Sequence, residues 1–387
     1  MDLLSILPFY LPVLGAGFVS WDDDVVIETN DSFRGLTPAH WKWMFTADQM
    51  GHYQPLTWLT YAVDHELGGL DPRVYHATSL FLHGLCALAV YHLVRILLSC
   101  RTSGPSVAPA AAIGALVFAL HPLRVEAVAW VSARRDLVSG LFLVLAALAY
   151  VSWARSPGRA PGLYVASVAA YVLSLLGKSV GMTFPAVLLV LDVWPLGRSR
   201  DGRSAGRLLL EKVPFLVPAV ATVIVTWVLR DRIGLMEGTA VVSVGQRIAI
   251  AAYGFAFYPA RTVVPVGLAP LHEIEPALDP TSTVHVVAAV AVVACTVQLA
   301  AARRRFPAAL AAWLVYGILL APVCGLFQGG VQKAADRYSY VACLPFAVLA
   351  AAGFQALARS GSPVLVRRAL CLACHQNGAP IFALSES

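Results

Sequence analysis

Long apolar stretches dominate this chain, and short polar segments separate them. A run of about 17–25 mostly apolar residues is long enough to cross a bilayer as a helix. Such runs predict about ten spanning helices, at 3–20, 78–99, 107–121, 136–154, 162–177, 181–196, 213–230, 283–302, 307–321 and 339–358. A further apolar segment at 246–268 contains Pro259 and Pro265, so we expect a re-entrant or interfacial helix there. The pattern predicts an all-α integral membrane protein, a polytopic helical bundle.

The basic loops predict the orientation of this bundle. Basic residues follow the second, fourth, sixth and eighth predicted spans, for example Arg303 to Arg305. Lys and Arg gather in cytoplasmic loops, and these loops all share one side if the segment at 246–268 does not cross. We therefore expect a cytoplasmic N-terminus and Asp22 to Asp24 on the outer side of a membrane. Its outer side would hold the segments 21–77, 121–136, 177–181, 231–282 and 322–338.

The composition supports the membrane class. Apolar residues make up 58% of the 387 residues and charged residues 13%, against about 25% charged residues in soluble domains. The mean hydropathy of +0.71 agrees with this assignment. The net charge of +6 comes from loops, so it does not indicate a nucleic-acid partner. Most of the seven cysteines lie in or beside apolar segments, where a thiol behaves as a small hydrophobic group, and no disulfide framework is expected.

Three consecutive carboxylates follow the first predicted span, at Asp22, Asp23 and Asp24. Carboxylates at a membrane boundary are costly to desolvate, so they stay hydrated or serve a function. We expect this cluster to supply a catalytic base at the membrane face. The alternatives are a solvated acidic patch at a helix end and a site for Mg²⁺ or Mn²⁺. Without a second carboxylate cluster of clear spacing, we assign no metal ligands and leave a divalent cation open.

Other polar side chains fall in the predicted outer segments. Cations there would neutralise a phosphate leaving group, while a carboxylate deprotonates an acceptor hydroxyl. The alternative is a set of snorkelling side chains at helix ends and ion pairs within loops. The predicted substrate-binding residues are His52, His121, Arg124, Glu126, Arg134, Asp136, Lys178, Asp336 and Arg337.

Several short motifs occur in an order that is more specific than any one of them. The series includes Trp21-Asp22-Asp23-Asp24, His52-Tyr53-Gln54-Pro55-Leu56-Thr57, His121-Pro122-Leu123-Arg124-Val125-Glu126, Arg134-Arg135-Asp136, Gly177-Lys178, Leu191-Asp192-Val193-Trp194-Pro195 and Asp336-Arg337-Tyr338-Ser339-Tyr340. Over about residues 10 to 358 the chain resembles the membrane half of the transmembrane and tetratricopeptide-repeat O-mannosyltransferases, especially their bacterial relatives.

The resemblance implies a C-type glycosyltransferase fold over a single domain at 1–358. Such enzymes take a sugar, commonly mannose, from a polyprenyl phosphate on the non-cytoplasmic face and transfer it to a protein hydroxyl with inversion. The resemblance makes Asp22 the base, gives it Asp23 as an acidic neighbour, and makes Arg337 the residue that holds the lipid phosphate. The implied partners are the polyprenyl-phosphate sugar donor, a protein acceptor and membrane lipid.

The sequence also departs from this family. Relatives often have His where this chain has Arg124, and no 34-residue self-similarity indicates tetratricopeptide repeats. Residues 359–387 are expected to be a divergent cytoplasmic tail of a truncated copy. The tail contains one match to a haem-attachment pattern, Cys371-Leu372-Ala373-Cys374-His375. We interpret this match as chance, so no haem is expected. Two alternative functions stay open: a secondary transporter and an inactive membrane scaffold.

Overall fold

Helices form nearly all of the regular structure in this computed structural model. It describes residues 7–199, 204–232, 242–275, 278–326 and 332–360. Within those ranges the exceptions are two short antiparallel strands, His272–Glu273 (β1) and Gln332–Ala334 (β2), which place His272 opposite Ala334. The predicted all-α class is therefore confirmed. Of the predicted tail at 359–387 the structure describes Arg359, the last residue of α16, and Ser360, and the cysteine pair lies outside the described residues.

The α-helices follow the apolar pattern closely. They are Leu7–Tyr10 (α1), Pro38–Thr46 (α2), Pro55–Gly68 (α3), Pro72–Ser99 (α4), Val107–Leu120 (α5), Val125–Ala129 (α6), Arg134–Arg155 (α7), Pro161–Gly177 (α8), Phe184–Val193 (α9), Ala205–Leu210 (α10), Val213–Arg232 (α11), Val244–Val263 (α12), Thr283–Ala301 (α13), Pro307–Leu320 (α14), Ser339–Ala342 (α15) and Leu344–Arg359 (α16). Short 3₁₀ turns at Leu11–Gly15, Pro122–Arg124, Val131–Ala133, Ser179–Thr183 and Asp336–Tyr338 join or extend several of them.

Three helices are long and apolar enough to cross a membrane: α4, α13 and the stretch Val131–Arg155 that includes α7. Two bent pairs raise this number to five if each is one span. They are α5 with Pro122–Ala129, bent by 58°, and Asp336–Ala342 with α16, bent by 56°. Shorter apolar helices occupy four other predicted spans. The described residues thus show three to five candidate spans, and the predicted ten are not established.

The predicted first span at 3–20 is not a continuous helix over its described residues. Helix α1 has four residues, and a 3₁₀ turn at Leu11–Gly15 follows it directly. Pro8 and Pro12 lack the backbone N–H that an α-helix needs, and Gly15 and Gly17 favour irregular backbone. Those four residues explain why an apolar run of the right length does not become a span.

The segment predicted to be re-entrant or interfacial forms α12, a 20-residue helix that is not among the candidate spans. Ser243 and Gln246 cap its first turn reciprocally, and Pro259 lies within it. The helix packs against α13 and against strand β2. It therefore brings its neighbours to the end of the bundle where the first outer loop lies.

Two packed regions hold that first loop in place. The main core lies between α4, α5, α7, α8 and α16, whose apolar faces meet around α7. A separate aromatic cluster contains Phe33, Trp58, Tyr61 and Tyr75, all with no exposed surface. The Tyr61 hydroxyl donates to the Val131 carbonyl at 2.8 Å. This bond ties the loop to the turn that precedes α7.

A buried polar network fixes the opposite end of α7. The Asp192 carboxylate accepts hydrogen bonds from Tyr150 Oη at 2.9 Å, from Arg198 Nη1 at 2.8 Å and from Lys212 Nζ at 2.6 Å. Arg198 also pairs with Glu211 at 2.5 Å. Because a buried charge is tolerated only when it is paired and hydrogen-bonded, this network anchors the connection that follows α9.

Candidate functional site

The predicted acidic cluster forms a turn that is fastened to the segment before α7. The Asp23 carboxylate accepts hydrogen bonds from Val19 N at 3.1 Å, Ser132 N at 2.9 Å and Ser132 Oγ at 2.5 Å. Asp23 is only 1% exposed. Burial raises the pKa of Asp23, and its hydrogen bonds from Ser132 and Val19 lower it in part. Asp23 therefore acts as a buried anchor between the first loop and the 130–133 turn.

The other two aspartates have different surroundings. Asp24 begins a π-helical segment, Asp24–Glu28, and its Oδ1 accepts from Val25 N at 2.9 Å. Asp22 is half-buried, and its carboxylate makes no hydrogen bond or ion pair with any described residue. A carboxylate that is partly shielded from water but has no partner keeps its oxygen atoms available as acceptors. Asp22 is thus the member of the cluster that is free to accept a proton.

Trp130 is the common neighbour of the acidic turn and of Arg337. Its ring meets the ring of Trp21 edge-on, with 6.0 Å between centroids. The Arg337 guanidinium carbon lies 5.2 Å from the centroid of the Trp130 ring. The cation-π contact favours a charged arginine at this position. Two segments more than 300 residues apart in the sequence are thereby brought to one place.

Arg337 is held by Glu126 and by the backbone. Its Nη1 lies 2.5 Å from Glu126 Oε1, its backbone N–H donates to Glu126 Oε2 at 2.6 Å, and Nη1 also donates to Pro270 O at 2.9 Å. The side chain is 7% exposed. Its Nε has no hydrogen-bond partner among the described residues. The pair is therefore fixed in position while one donor of the guanidinium is left unused.

Lys178 lies in the turn between α8 and α9 and pairs with Asp136. Its Nζ is 2.7 Å from both carboxylate oxygens of Asp136, and it lies 5.7 Å from the centroid of the Tyr338 ring. Burial lowers the pKa of Lys178 to about 8. The pairing with Asp136 opposes this change, while the charges of Arg135 and Arg337 add to it. The three cations are therefore close enough to influence one another.

The adjacent residues Arg134 and Arg135 have opposite roles in this geometry. Arg134 has no exposed surface, pairs with Asp64 and donates to Tyr75 O at 2.6 Å. We predicted a substrate contact for Arg134, but the structure commits its guanidinium to anchoring α3 and α4. Arg135 is half-buried and makes no hydrogen bond or ion pair with a described residue. Of the two, it is Arg135 that remains available to a ligand.

Arg135 is the cation of this group that has no carboxylate partner among the described residues. Lys178 pairs with Asp136 and Arg337 pairs with Glu126, while the buried carboxylate of Asp336 lies 3.7 Å from His272 Nε2. The Nε groups of Arg135 and Arg337 have no hydrogen-bond partner in this part of the chain. Unused N–H donors on charged guanidinium groups suit a phosphate group.

The remaining predicted residues lie around this group. His121 Nδ1 accepts from Leu123 N at 3.2 Å, so its Nε2 donates to Thr262 O at 3.1 Å. The Asp336 carboxylate is 3.7 Å from His272 Nε2. His52 is half-buried just before α3. The contacts of His121 and Asp336 connect neighbouring segments.

Arg124 is the predicted residue with the least satisfied charge. It is 2% exposed, and its Nε and Nη1 have no hydrogen-bond partner among the described residues. Its guanidinium carbon lies 5.5 Å and 5.8 Å from the ring centroids of Phe118 and Tyr340. The aromatic rings compensate part of the cost of burying this charge.

Sequence reasoning missed three residues of this arrangement. Trp130 was assigned no role, and Ser132 carried no sign of its contact with Asp23. Arg135 lay in the predicted outer set but was not chosen as a binding residue. Its helical position was the one usable signal, because neighbouring residues point about 100° apart on an α-helix and Arg134 and Arg135 cannot face the same way.

No group of three or more His, Cys, Asp or Glu side chains that could hold a metal ion occurs in the part of the chain that the structure describes. The arrangement instead combines an unpaired carboxylate with clustered cations. Chemically, it can accept a proton at Asp22 and stabilise negative charge beside Arg337, Lys178 and Arg135.

Several known protein O-mannosyl-transferases are similar in sequence to part of this chain. Protein O-mannosyl-transferase tmtc2 of Xenopus laevis is 32% identical over 208 residues, which cover 49% of this chain and 23% of that protein. Protein O-mannosyl-transferase TMTC2 of Homo sapiens is 32% identical over 205 residues, with 50% and 23% covered. Protein O-mannosyl-transferase TMTC4 of Mus musculus is 29% identical over 242 residues, with 54% and 32% covered.

This chain is similar in sequence to protein O-mannosyl-transferases over about half of its length. The resemblance seen in the motifs is thereby confirmed for about half of the chain. The match spans less than a third of the length of these relatives. No family model matches the chain, and no solved structure matches it.

Proposed function

We propose that this chain is a membrane glycosyltransferase that moves a sugar from a polyprenyl-phosphate donor to a protein hydroxyl. The sugar is mannose, as the names of the relatives suggest. In the proposal the reaction takes place on the non-cytoplasmic face of a bacterial inner membrane and inverts the configuration of the sugar. Residues 1–358 form the catalytic membrane domain, and 359–387 form a cytoplasmic tail.

One observation carries the proposal. A half-buried carboxylate without a partner, Asp22, lies in a turn that contacts Trp130, and Trp130 also contacts the cation group of Arg337, Lys178 and Arg135. Sugar transfer from a lipid phosphate needs both parts, because a base must take a proton while the departing phosphate gains negative charge. A transporter would need its charges near the middle of the membrane between broken helices, and this group instead lies at one end of the bundle.

The proposed mechanism is a single displacement. Asp22 takes the proton from the acceptor hydroxyl, and the hydroxyl oxygen forms a bond to the anomeric carbon of the sugar. The bond between that carbon and the phosphate oxygen breaks, and the lipid phosphate leaves with its electron pair. Attack opposite to the leaving group inverts the sugar. Arg337, Lys178 and Arg135 hold the phosphate, and Asp23 positions the turn that carries Asp22.

The test measures transfer of radiolabelled mannose from polyprenyl-phosphate mannose to protein in membranes that contain the full chain. Asp22→Asn keeps the size of the side chain and removes the base, so the rate should fall by about 10²–10⁴-fold. Asp31→Asn is the matched control, since its carboxylate lies in the same loop, is 84% exposed and pairs only with Arg34. That control should keep the rate of the parent chain.

Two results would contradict the proposal. Full activity in Asp22→Asn would remove Asp22 as the base. Absence of transfer in the parent chain with every polyprenyl-phosphate sugar supplied, in membranes where a full-length relative is active, would contradict the enzymatic function itself.

A further inference from the structure

A cavity of about 310 Å³ opens between five helices of the bundle. Its walls come from α4, α7, α9, α14 and α16 and are almost entirely apolar. They include Leu93, Val144, Val187, Val315 and Val348. A site with such walls suits a hydrocarbon chain.

One end of the cavity is far from the candidate site described above. The near end is lined by Val341, four residues after Arg337. Helix α4 begins beside the candidate site, where the Tyr75 carbonyl accepts from Arg134, and its 28 residues span about 42 Å at the rise of an α-helix. It ends at Ser99, next to the far end of the cavity. In the orientation predicted from the basic loops, that far end faces the cytoplasmic leaflet.

One end of the cavity is basic. Arg101 and Arg359 both line it and are both exposed. The Arg101 guanidinium carbon lies 3.9 Å from the ring centroid of Trp194, and Arg359 donates to a backbone carbonyl at 3.0 Å. The lining includes no acidic side chain. Both arginines therefore keep donors and a full charge available for an anion at this end.

A buried amide at the same end has an unused donor. Gln355 is 4% exposed, lines the cavity, and accepts a hydrogen bond from Thr102 Oγ1 at 3.1 Å through its Oε1. Its Nε2 is buried and has no partner among the described residues. Buried donors in folded proteins are almost always paired. The Nε2 group thus points to a ligand that offers a hydrogen-bond acceptor just below the charged end.

The depth of the cavity fits one acyl chain. Its lining on α9 and the following turn extends from Phe184 to Trp194, which is about 15 Å at the helical rise. That is half of a hydrocarbon core about 30 Å thick. The apolar walls therefore run from the basic end to about the middle of the bilayer.

We propose that this cavity binds one anionic glycerophospholipid of the adjacent leaflet. Its acyl chain fills the apolar part, its phosphate lies between Arg101 and Arg359, and its ester carbonyl accepts from Gln355 Nε2. Basic pockets between membrane helices are known to bind such head groups. The proposal concerns a lipid that is not consumed, so it does not depend on the transfer reaction.

Native mass spectrometry of the purified full chain tests this assignment. The chain is supplied with equal amounts of phosphatidylglycerol and phosphatidylcholine that carry identical acyl chains. One phosphatidylglycerol molecule should be retained, with a preference of about tenfold, the size expected for basic residues that contact an anionic head group. The double variant Arg101→Gln, Arg359→Gln should lose that preference. Arg303→Gln should keep it, since Arg303 is equally exposed in the loop before α14 but does not line the cavity.

A second variant tests the apolar part. Ala352→Trp places a large ring in the cavity and should abolish retention of both lipids while the two arginines stay. Equal retention of the two lipids, or an equal loss of preference in Arg303→Gln, would overturn the proposal. Retention of added polyprenyl phosphate in place of phosphatidylglycerol, or no retained lipid in the parent chain, would overturn it as well.

Discussion

Replacing Lys178 by arginine tests whether the charge of this residue holds the departing phosphate. Burial lowers the pKa of Lys178 from an ordinary 10.5 to about 8, which corresponds to about 3 kcal/mol against the charged form. With a pKa near 8, about nine-tenths of the side chain is protonated at pH 7 but only about one-tenth at pH 9. Transfer that needs this charge should therefore decline on an alkaline limb centred near pH 8.

Arginine stays charged throughout this range and can still pair with Asp136. In Lys178→Arg the decline of the transfer rate should therefore move to beyond about pH 10. Lys178→Gln should lower the rate at every pH and should show no decline near pH 8. The assay is the initial rate of mannose transfer at donor concentrations well below saturation, which reports the free enzyme, measured from about pH 6 to about pH 10. Lys42→Arg, the same exchange at an exposed position of α2, should keep the profile of the parent chain.

A loss of folding stability does not explain a decline of the transfer rate near pH 8. In the unfolded chain Lys178 keeps its proton up to about pH 10.5, whereas in the folded chain it releases it near pH 8. The unfolded state therefore binds more protons in that window, and the contribution of Lys178 to stability rises with pH. A parent profile that stays flat above pH 8, or an unchanged limb in Lys178→Arg, would refute the reasoning.

Two further substitutions address the anchors of the fold. Asp192→Ala removes the nearest carboxylate of the buried Lys212, whereas Arg198 keeps Glu211. It should lower the free energy of unfolding by about 3–5 kcal/mol, measured by denaturant titration in detergent. A loss below 1 kcal/mol would contradict the buried network. Ser132→Ala removes one hydrogen bond from the buried Asp23 carboxylate and should cost about 1.5–3 kcal/mol and slow transfer. Ser32→Ala, at an exposed position, is the control, and equal effects of the two serine variants would refute the anchor.

Most of the predicted apolar runs form helices with bounds close to those predicted. Helices α7, α8 and α13 agree within two residues, whereas α4 begins six residues before its predicted start. At two places proline interrupts a predicted run. Pro8 and Pro12 divide the first predicted span, and Pro122 marks the 58° bend after α5. A count of apolar residues does not register the backbone donors that proline removes.

The location of the candidate site could be predicted more fully than its contacts. Turns that join successive antiparallel helices lie at the same end of a bundle, so the order of helices placed the first loop, the 121–136 turn and the 177–181 turn together. The ion-pair partners of these residues could not be predicted in this way. Asp64 precedes Arg134 by 70 residues, and nothing in the sequence showed that Arg134 rather than Arg135 would pair with it. That choice depends on the rotation of α7, which only tertiary packing sets.

Trp130 shows why a base and a phosphate clamp can coexist in so small a space. If the Asp22 carboxylate paired directly with Arg337, the arginine would lower the pKa of the base. In the structure the two charged groups form no ion pair. Arg337 instead pairs with Glu126 and contacts the Trp130 ring, while Trp21, next to Asp22, contacts the same ring. An uncharged ring shared by the two segments keeps them adjacent while the Asp22 carboxylate stays unpaired, and the proposed chemistry requires a base that is free of the arginine.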